Sequence, residues 1–468
     1  MKGSEGLYSS VLISAPQGRS GKTIASLALC AGLKRRGLTV QPFKKGPDYI
    51  DPSWLSGAAG RSCRNLDPFL MAEETIVDSF RRACQGADLA IIEGAMGLFD
   101  GPESAGWGST AHLARLLKTP VIMVVNTTRM TGSIAAMVTG YQHFLSDVNI
   151  AAVILNNVAG NRHERKLVTA IEQYCGIPVV GSIPRDTDIE MTQRHLGHVP
   201  FPENGESEAT IKRICSKIEP GLDVETILSI AGKIETKQDQ QSNDSVDIAK
   251  TVKIGVIRDR VFNFYYQENL EALGRAGAEL VFINSLQDRL PEIDGLYIGG
   301  GFPEFFLQKL EANQELRKDI ADAVEKGLPV YAECAGLMYL CSSINWQGQQ
   351  YEMVGSIPAE IEFTDHPQGH GYVEAEVSVE NPLFPTGLIS RGHEFHHSKL
   401  TKTSGFDFVY RMKRGHGIGD GLDGIVYKNV FAAYTHLHAL VTPQWAESFT
   451  ALALREQKCR HLASTLTV

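Results

Sequence analysis

The chain has 468 residues, 43% apolar and 21% charged, with a formal net charge of −9. Its length predicts about two to three domains, and its composition is that of a water-soluble globular protein. The acidic balance argues against a nucleic-acid or anionic-membrane partner, because no basic excess exists to neutralise phosphates.

Residues 1–5 carry neither the apolar run nor the small-residue cleavage site of a signal peptide. No apolar stretch reaches the roughly 20 residues of a membrane helix. The eight cysteines form no Cys-x-x-Cys pair, which argues against a disulfide scaffold or a zinc site. A cytoplasmic protein is expected. Lys34-Arg35-Arg36 is read as the solvated end of a helix.

In chain order, short apolar runs predict strands over residues 10–14, 39–43, 89–93, 121–125, 150–156 and 179–183. Helical periodicity falls at 23–36 and 109–117. This alternation predicts an α/β domain with a largely parallel sheet. The polar stretch 232–251 lacks apolar anchors and is read as a linker between domains 1–231 and 252–468. A second α/β series follows, with strands predicted over 253–257, 279–283, 295–299 and 328–332.

Gly18-Arg19-Ser20-Gly21-Lys22-Thr23 lies between the first predicted strand and helix, the context of a phosphate-binding loop. Backbone N–H groups and the helix N-terminus would hold anionic phosphate, with Lys22 adding a point charge. The Thr23 hydroxyl is placed to ligate magnesium. Pro16 stands five residues before Gly21, where the commonest form of this loop has glycine, and a purely structural glycine turn is the alternative.

Glu93 ends a predicted strand and heads the glycine-rich run to Gly101, which carries Asp100. An acid there is a natural second contact for magnesium, and glycines let backbone approach a ligand. Lys44-Lys45-Gly46-Pro47-Asp48-Tyr49-Ile50-Asp51-Pro52 follows another strand, where α/β proteins place ligands. Lys44 could reach phosphates, and Asp48 and Asp51 could hold magnesium or steer a substrate. An aspartate-rich turn with solvated charges is the other reading.

Cys334 follows the predicted strand 328–332 at a tight turn relieved by Ala335 and Gly336, the pattern of a nucleophile elbow. The Ala335 N–H can help hold an oxyanion, and the Gly299-Gly300-Gly301 run is placed to supply further N–H groups. Cys341 is read as structural. A phosphate loop and a thiolate in one chain point to ATP spent on activating a group that the thiolate's product then attacks.

The 43–52 loop, the 93–101 run, and Ile183-Pro184-Arg185-Asp186 followed by Arg194-His195-Leu196-Gly197 together resemble the cobyrinate a,c-diamide synthase family. The likeness runs through nearly the whole chain in order. It implies a first domain similar to dethiobiotin synthetase and a second similar to class I glutamine amidotransferases. It implies ATP, glutamine and a corrinoid as substrates, with Mg2+, in cobalamin biosynthesis. By the same likeness Asp48, Tyr49, Asp51 and Asp100 serve substrate binding and activation, and Asn157 falls where the adenine base is recognised. Lys45 stands where many members have an apolar residue.

Histidines cluster at His393-Glu394-Phe395-His396-His397 and at His436-Leu437-His438. The second cluster resembles the end of the amidotransferase domain, which makes His436 the expected base for Cys334. That domain's common form has a glutamate two residues after the histidine. Here the position is His438, and Glu394 is an alternative orienter. His393, Glu394 and His396 could instead form a metal site.

Related enzymes amidate sirohaem or nickel-sirohydrochlorin, and Lys45 and Trp54 raise that alternative. A P-loop ATPase switch and a non-enzymatic sensing module are the rivals from other classes. The edges of two α/β sheets permit a homodimer.

Overall fold

The computed structural model describes residues 7–103, 106–186, 206–235, 251–401 and 405–466. The chain divides into two compact units, Met1–Gln241 and Ser242–Val468. Residues 194–197, part of the resemblance above, and 236–250 of the expected linker lie outside the described residues.

In the first unit, β1 (Leu7–Ser14), β2 (Val40–Lys45), β3 (Arg64–Leu66), β4 (Leu89–Glu93), β5 (Val121–Asn126), β6 (Ile150–Val158), β7 (Val179–Pro184) and β8 (Gly232–Glu235) form one sheet. The order β3-β2-β4-β1-β5-β6-β7 is parallel throughout. Helices cover such a sheet on both faces, so its strands read as unbroken apolar runs. Leu89–Glu93 is buried at every position. β8 pairs antiparallel with the start of β1, Leu7 opposite Glu235. The segment read from sequence as the start of the linker therefore begins with a strand. Its few residues carry no apolar period, and only backbone pairing reveals it.

Helix α1 (Lys22–Arg35) is buried from Ile24 through Leu33, because the small residues Ala25, Ser26, Ala28, Ala31 and Gly32 alternate with Leu27, Leu29 and Leu33. It lies in one apolar core with Val11, Ile13, Trp54, Leu55, Ile91 and Ile122. β1, β4, β5 and β6 end at Ser14, Glu93, Asn126 and Val158, and these carboxyl ends deliver the polar residues of the first site.

In the second unit five parallel strands run in the order Ala278–Ile283, Val252–Ile257, Gly295–Ile298, Val330–Glu333 and Val430–Ala433. The sheet continues through antiparallel Leu422–Tyr427, Asp407–Arg414, Gly369–Val377, Ile389–His396 and His436–Leu437. A separate four-stranded sheet contains Cys341–Trp346, Gln349–Glu352, Ile357–Phe363 and Ser398–Thr401. The parallel half was expected from sequence. The antiparallel half was not, because its strands alternate buried and exposed positions and lack apolar runs, as in Gly369–Val377.

Candidate active sites

The Gly18–Thr23 turn joins β1 to α1, the place its sequence context predicts. Arg19 and Gly21 both adopt positive φ, at 57° and 100°, which turns the chain from β1 into α1. The Ser20 hydroxyl donates to Gln17 O at 2.9 Å, and the Asn156 amide donates to Ser20 O at 2.8 Å. A Cβ on Gly21 would lie 2.3 Å from Asn156 Nδ2, so the loop needs glycine there for both space and φ. Lys22 reaches back to Met96 O at 2.7 Å. Burial, helped by the charge on Lys44, lowers its ammonium pKa to about 8.

Thr23 Oγ1 donates to Glu93 Oε1 at 2.7 Å. Glu93 is fully buried, and its Oε2 has no hydrogen-bond partner among the described residues. Lys44 Nζ stands 2.9 Å from Glu93 Oε1 and 3.7 Å from Asp48 Oδ2, and it also donates to Asp51. The amine expected to reach phosphates is thus enclosed by three carboxylates. Burial opposes its charge, but Asp51, Glu93 and Asp48 outweigh that and hold its pKa well above the ordinary value. Among the acids, burial and the neighbouring Asp51 push Asp48 up to about 7. Burial raises Glu93, whereas at Asp51 the charge and hydrogen bond of Lys44 overcome burial and lower it.

The loop carrying these acids is held by its own groups. Asp48 Oδ1 accepts from the N–H groups of Ile50 and Asp51 at 2.9 and 3.2 Å, starting the helix Ile50–Ala59. Tyr49 is the N-cap residue of that helix. The Asn65 amide donates to the carbonyls of Gly46 and Asp48, both at 2.8 Å. Exposed Asp100 accepts from Gly97 N at 2.9 Å and closes the glycine run, so its observed work is on the loop. A Cβ on Gly97 would meet Asp100 Oδ2 and Pro16 O, both at 2.5 Å. Gly18 lies against the Met96 side chain.

Asn157, Trp54 and Lys45 have defined surroundings. Asn157, with φ 61°, turns its amide to Asn126 Oδ1 at 3.3 Å, and it is the preceding Asn156 that supports the phosphate loop. At the end of a strand, consecutive side chains point to opposite sides. Trp54 is 1% exposed inside the core, and Lys45 is buried 3.9 Å from Asp67 Oδ2.

In the second unit Cys334 sits at φ 51° and ψ −106°, between the strand Val330–Glu333 and the helix Ala335–Leu340. This strained elbow is held by Cys334 N donating to Ala433 O at 2.7 Å. A Cβ on Gly336 would lie 2.3 Å from Ile298 O, so the helix approaches the next strand only with glycine there. Burial pushes the thiol of Cys341 up, in keeping with a structural role.

His436 packs over Gly300, where an added Cβ would meet its Cε1 at 2.5 Å, and Gly301 is pressed against Val261 O. His436 Nδ1 lies 3.7 Å from Glu333 Oε2. Burial opposes its protonation, but Cys334 and Glu333 outweigh burial and push its pKa up to about 9. His393 is its antiparallel partner, with the two rings stacked at 4.7 Å. The two expected orienters have partners of their own. His438 Nε2 is 3.7 Å from Glu268, and Glu394 accepts from the N–H groups of His416 and Gly417 at 2.6 and 2.8 Å. No group of three or more His, Cys, Asp or Glu side chains among the described residues forms a metal site, including around His393, Glu394 and His396.

Residues 11–199 match the CobQ/CobB/MinD/ParA nucleotide binding domain, and residues 253–443 match the CobB/CobQ-like glutamine amidotransferase domain. A protein of Magnetococcus marinus named cobyrinate a,c-diamide synthase is 43% identical, over 96% of this chain and 97% of its own. One of the same name from Archaeoglobus fulgidus is 42% identical, over 96% and 98%. The chain belongs to the cobyrinate a,c-diamide synthase family. Membership in this family accounts for both halves at once: the nucleotide-binding model covers the loop around Lys22 and Glu93, and the amidotransferase model covers Cys334 and His436. A third family member, from Listeria innocua, is 39% identical over 92% of this chain. No helix among the described residues is long and apolar enough to cross a membrane.

Proposed function

We propose that this chain is an ATP- and glutamine-dependent ligase that amidates the a and c acetate side chains of cobyrinate in cobalamin biosynthesis. The observation that carries the reading is the pairing, in one chain, of a phosphate loop backed by Glu93 with a strained Cys334 beside His436. A nucleotide-driven switch or a sensing module has no use for the second group.

In the glutaminase unit, the Cys334 thiolate attacks the side-chain amide carbon of glutamine. The C–N bond breaks, His436 gives its proton to the departing ammonia, and a glutamyl thioester remains. Water then releases glutamate and restores the thiolate. The N–H groups near Ala335, Gly300 and Gly301 are the candidates to hold the oxyanion.

In the synthetase unit, the loop Gly18–Thr23 and Lys22 hold the phosphates of ATP, and Asn157 with Asn126 meets the base. A corrinoid carboxylate takes the γ-phosphoryl group, ADP leaves, and ammonia displaces phosphate from the acyl phosphate. Activation is required because a carboxylate is a poor electrophile whose oxygen leaves badly. The loop with Asp48, Tyr49 and Asp51, together with Asp100, flanks the acceptor.

The residues fit Mg2+: a hydroxyl (Thr23) beside a buried carboxylate (Glu93) with an unpartnered oxygen, and Asp48 close by. Mg2+ keeps most of its shell as water and phosphate oxygens, so few protein ligands suffice. Bound there, it would neutralise charge on the β- and γ-phosphates.

The test is to follow glutamate, ADP and amidated corrinoid in one reaction. All three rising together supports the reading. Glutamate or ADP formed without any amidated product contradicts it.

A further inference from the structure

We propose that Glu333 is the positioning residue of the glutaminase site, holding His436 in place of the acid that related domains carry two residues after the histidine. Glu333 is 1% exposed, and His436 is its one ion-pair partner among the described residues, at 3.7 Å. A carboxylate buried so deeply needs a compensating charge or a full set of donors. Glu333 has both. Tyr297 Oη donates to Oε2 at 3.1 Å, and Tyr331 Oη and Leu437 N donate to Oε1 at 3.0 and 2.9 Å. The Leu437 N–H belongs to the residue after His436, so Glu333 grips the histidine's backbone neighbour as well as facing its ring.

The usual candidates are engaged elsewhere. His438 faces Glu268 and accepts from Leu440 N at 3.2 Å. Glu394 is taken up by two backbone N–H groups and faces His396 at 3.7 Å. Glu333 also has the right place in the fold. It ends the strand whose next residue is the nucleophile, and that strand pairs with Val430–Ala433, which leads into His436. Successive residues at a strand end face opposite sides; the Cys334 Sγ lies 3.8 Å from Phe395 O, while Glu333 faces His436. One strand end thus supplies both partners of the imidazole, and Glu333 favours the imidazolium that accompanies a Cys334 thiolate.

The other titratable groups facing this pair are His393, which burial lowers well below its usual range, and the phenols of Tyr297 and Tyr331, which burial raises. None carries a negative charge at neutral pH that could take the place of Glu333.

The experiment compares Glu333→Gln and Glu333→Asp with the parent enzyme in glutaminase kcat and KM, and in the pH dependence of Cys334 alkylation by iodoacetamide. Alkylation is read from the mass of the Cys334 peptide. It needs neither macrocycle nor ATP, so the inference, which rests on Cys334 as nucleophile, fails separately from the choice of corrinoid. Glu333→Gln should lower kcat on the order of 10²-fold, less than in a serine triad because a thiolate needs less help. It should also move the alkaline limb of kcat to lower pH, and the onset of Cys334 alkylation to higher pH, each by about one unit, and aspartate should recover part of these effects. A Gln variant with the parent's kcat and alkylation profile would overturn the proposal, as would an Asp variant no better than Gln. Should Glu333→Gln not fold, Glu333→Asp, which keeps the charge but draws it back from the ring, must still move the alkaline limb of kcat to lower pH; an unmoved profile overturns the proposal.

Discussion

Thr23 Oγ1 donates to Glu93 Oε1 at 2.7 Å and so ties the first turn of α1 to the end of β4, leaving Glu93 Oε2 buried and without a hydrogen-bond partner among the described residues. Glu93→Gln keeps the shape and removes the charge. The Mg2+ concentration that half-saturates ADP formation should rise by about tenfold or more. An unchanged Mg2+ dependence would remove Glu93 from the metal's surroundings.

Lys44 and Lys22 should separate in their effects. Lys44 neutralises Asp48, Asp51 and Glu93, so Lys44→Met should destabilise the first unit by about 3–5 kcal/mol, the usual cost of stranding buried charge. Lys22 donates to a carbonyl, so Lys22→Ala should cost only about 1 kcal/mol of stability yet raise the KM for ATP strongly. Denaturant unfolding and ATP kinetics on both variants check this. Equal stability losses would contradict the assignment.

Cys334→Ala should lower glutamine-supported amidation on the order of 10³-fold or more while leaving ammonia-supported amidation in place. Loss of both activities would show that the two units do not divide the work as proposed.

The pH dependence has a defined sign. His436 is raised from its ordinary value to about 9, so its protonated form is present at neutral pH and is lost as pH rises through 9. Without that proton the leaving ammonia has no donor, so glutaminase kcat should fall above about pH 9. The same linkage makes its contribution to stability complete below its unfolded pKa of about 6.5 and lost as pH rises through 9. Glutaminase rates across pH 6 to about 10 read the first effect, and a flat profile would contradict it.

Much of this arrangement is legible in the chain itself. The parallel strands announce themselves as apolar runs, and the Gly18–Thr23 loop and the Cys334 elbow each sit where a strand meets a helix. What was hidden depends on side-chain direction and non-local pairing. Asn156 and Asn157 are adjacent and alike, and only the backbone turn at φ 61° decides which one reaches Ser20. Glu333 left a faint signal, a charge closing a buried apolar strand, but its partner is about a hundred residues away. Trp54 stood in a loop rich in chemistry, yet it faces the core because the helix Ile50–Ala59 starts just before it.

The most direct test of the central claim is mass spectrometry of the products when cobyrinate, sirohaem or nickel-sirohydrochlorin is offered with glutamine and ATP. Cobyrinate should gain two carboxamides while the other macrocycles stay unchanged. Amidation of another macrocycle in preference to cobyrinate, or of none, would contradict it.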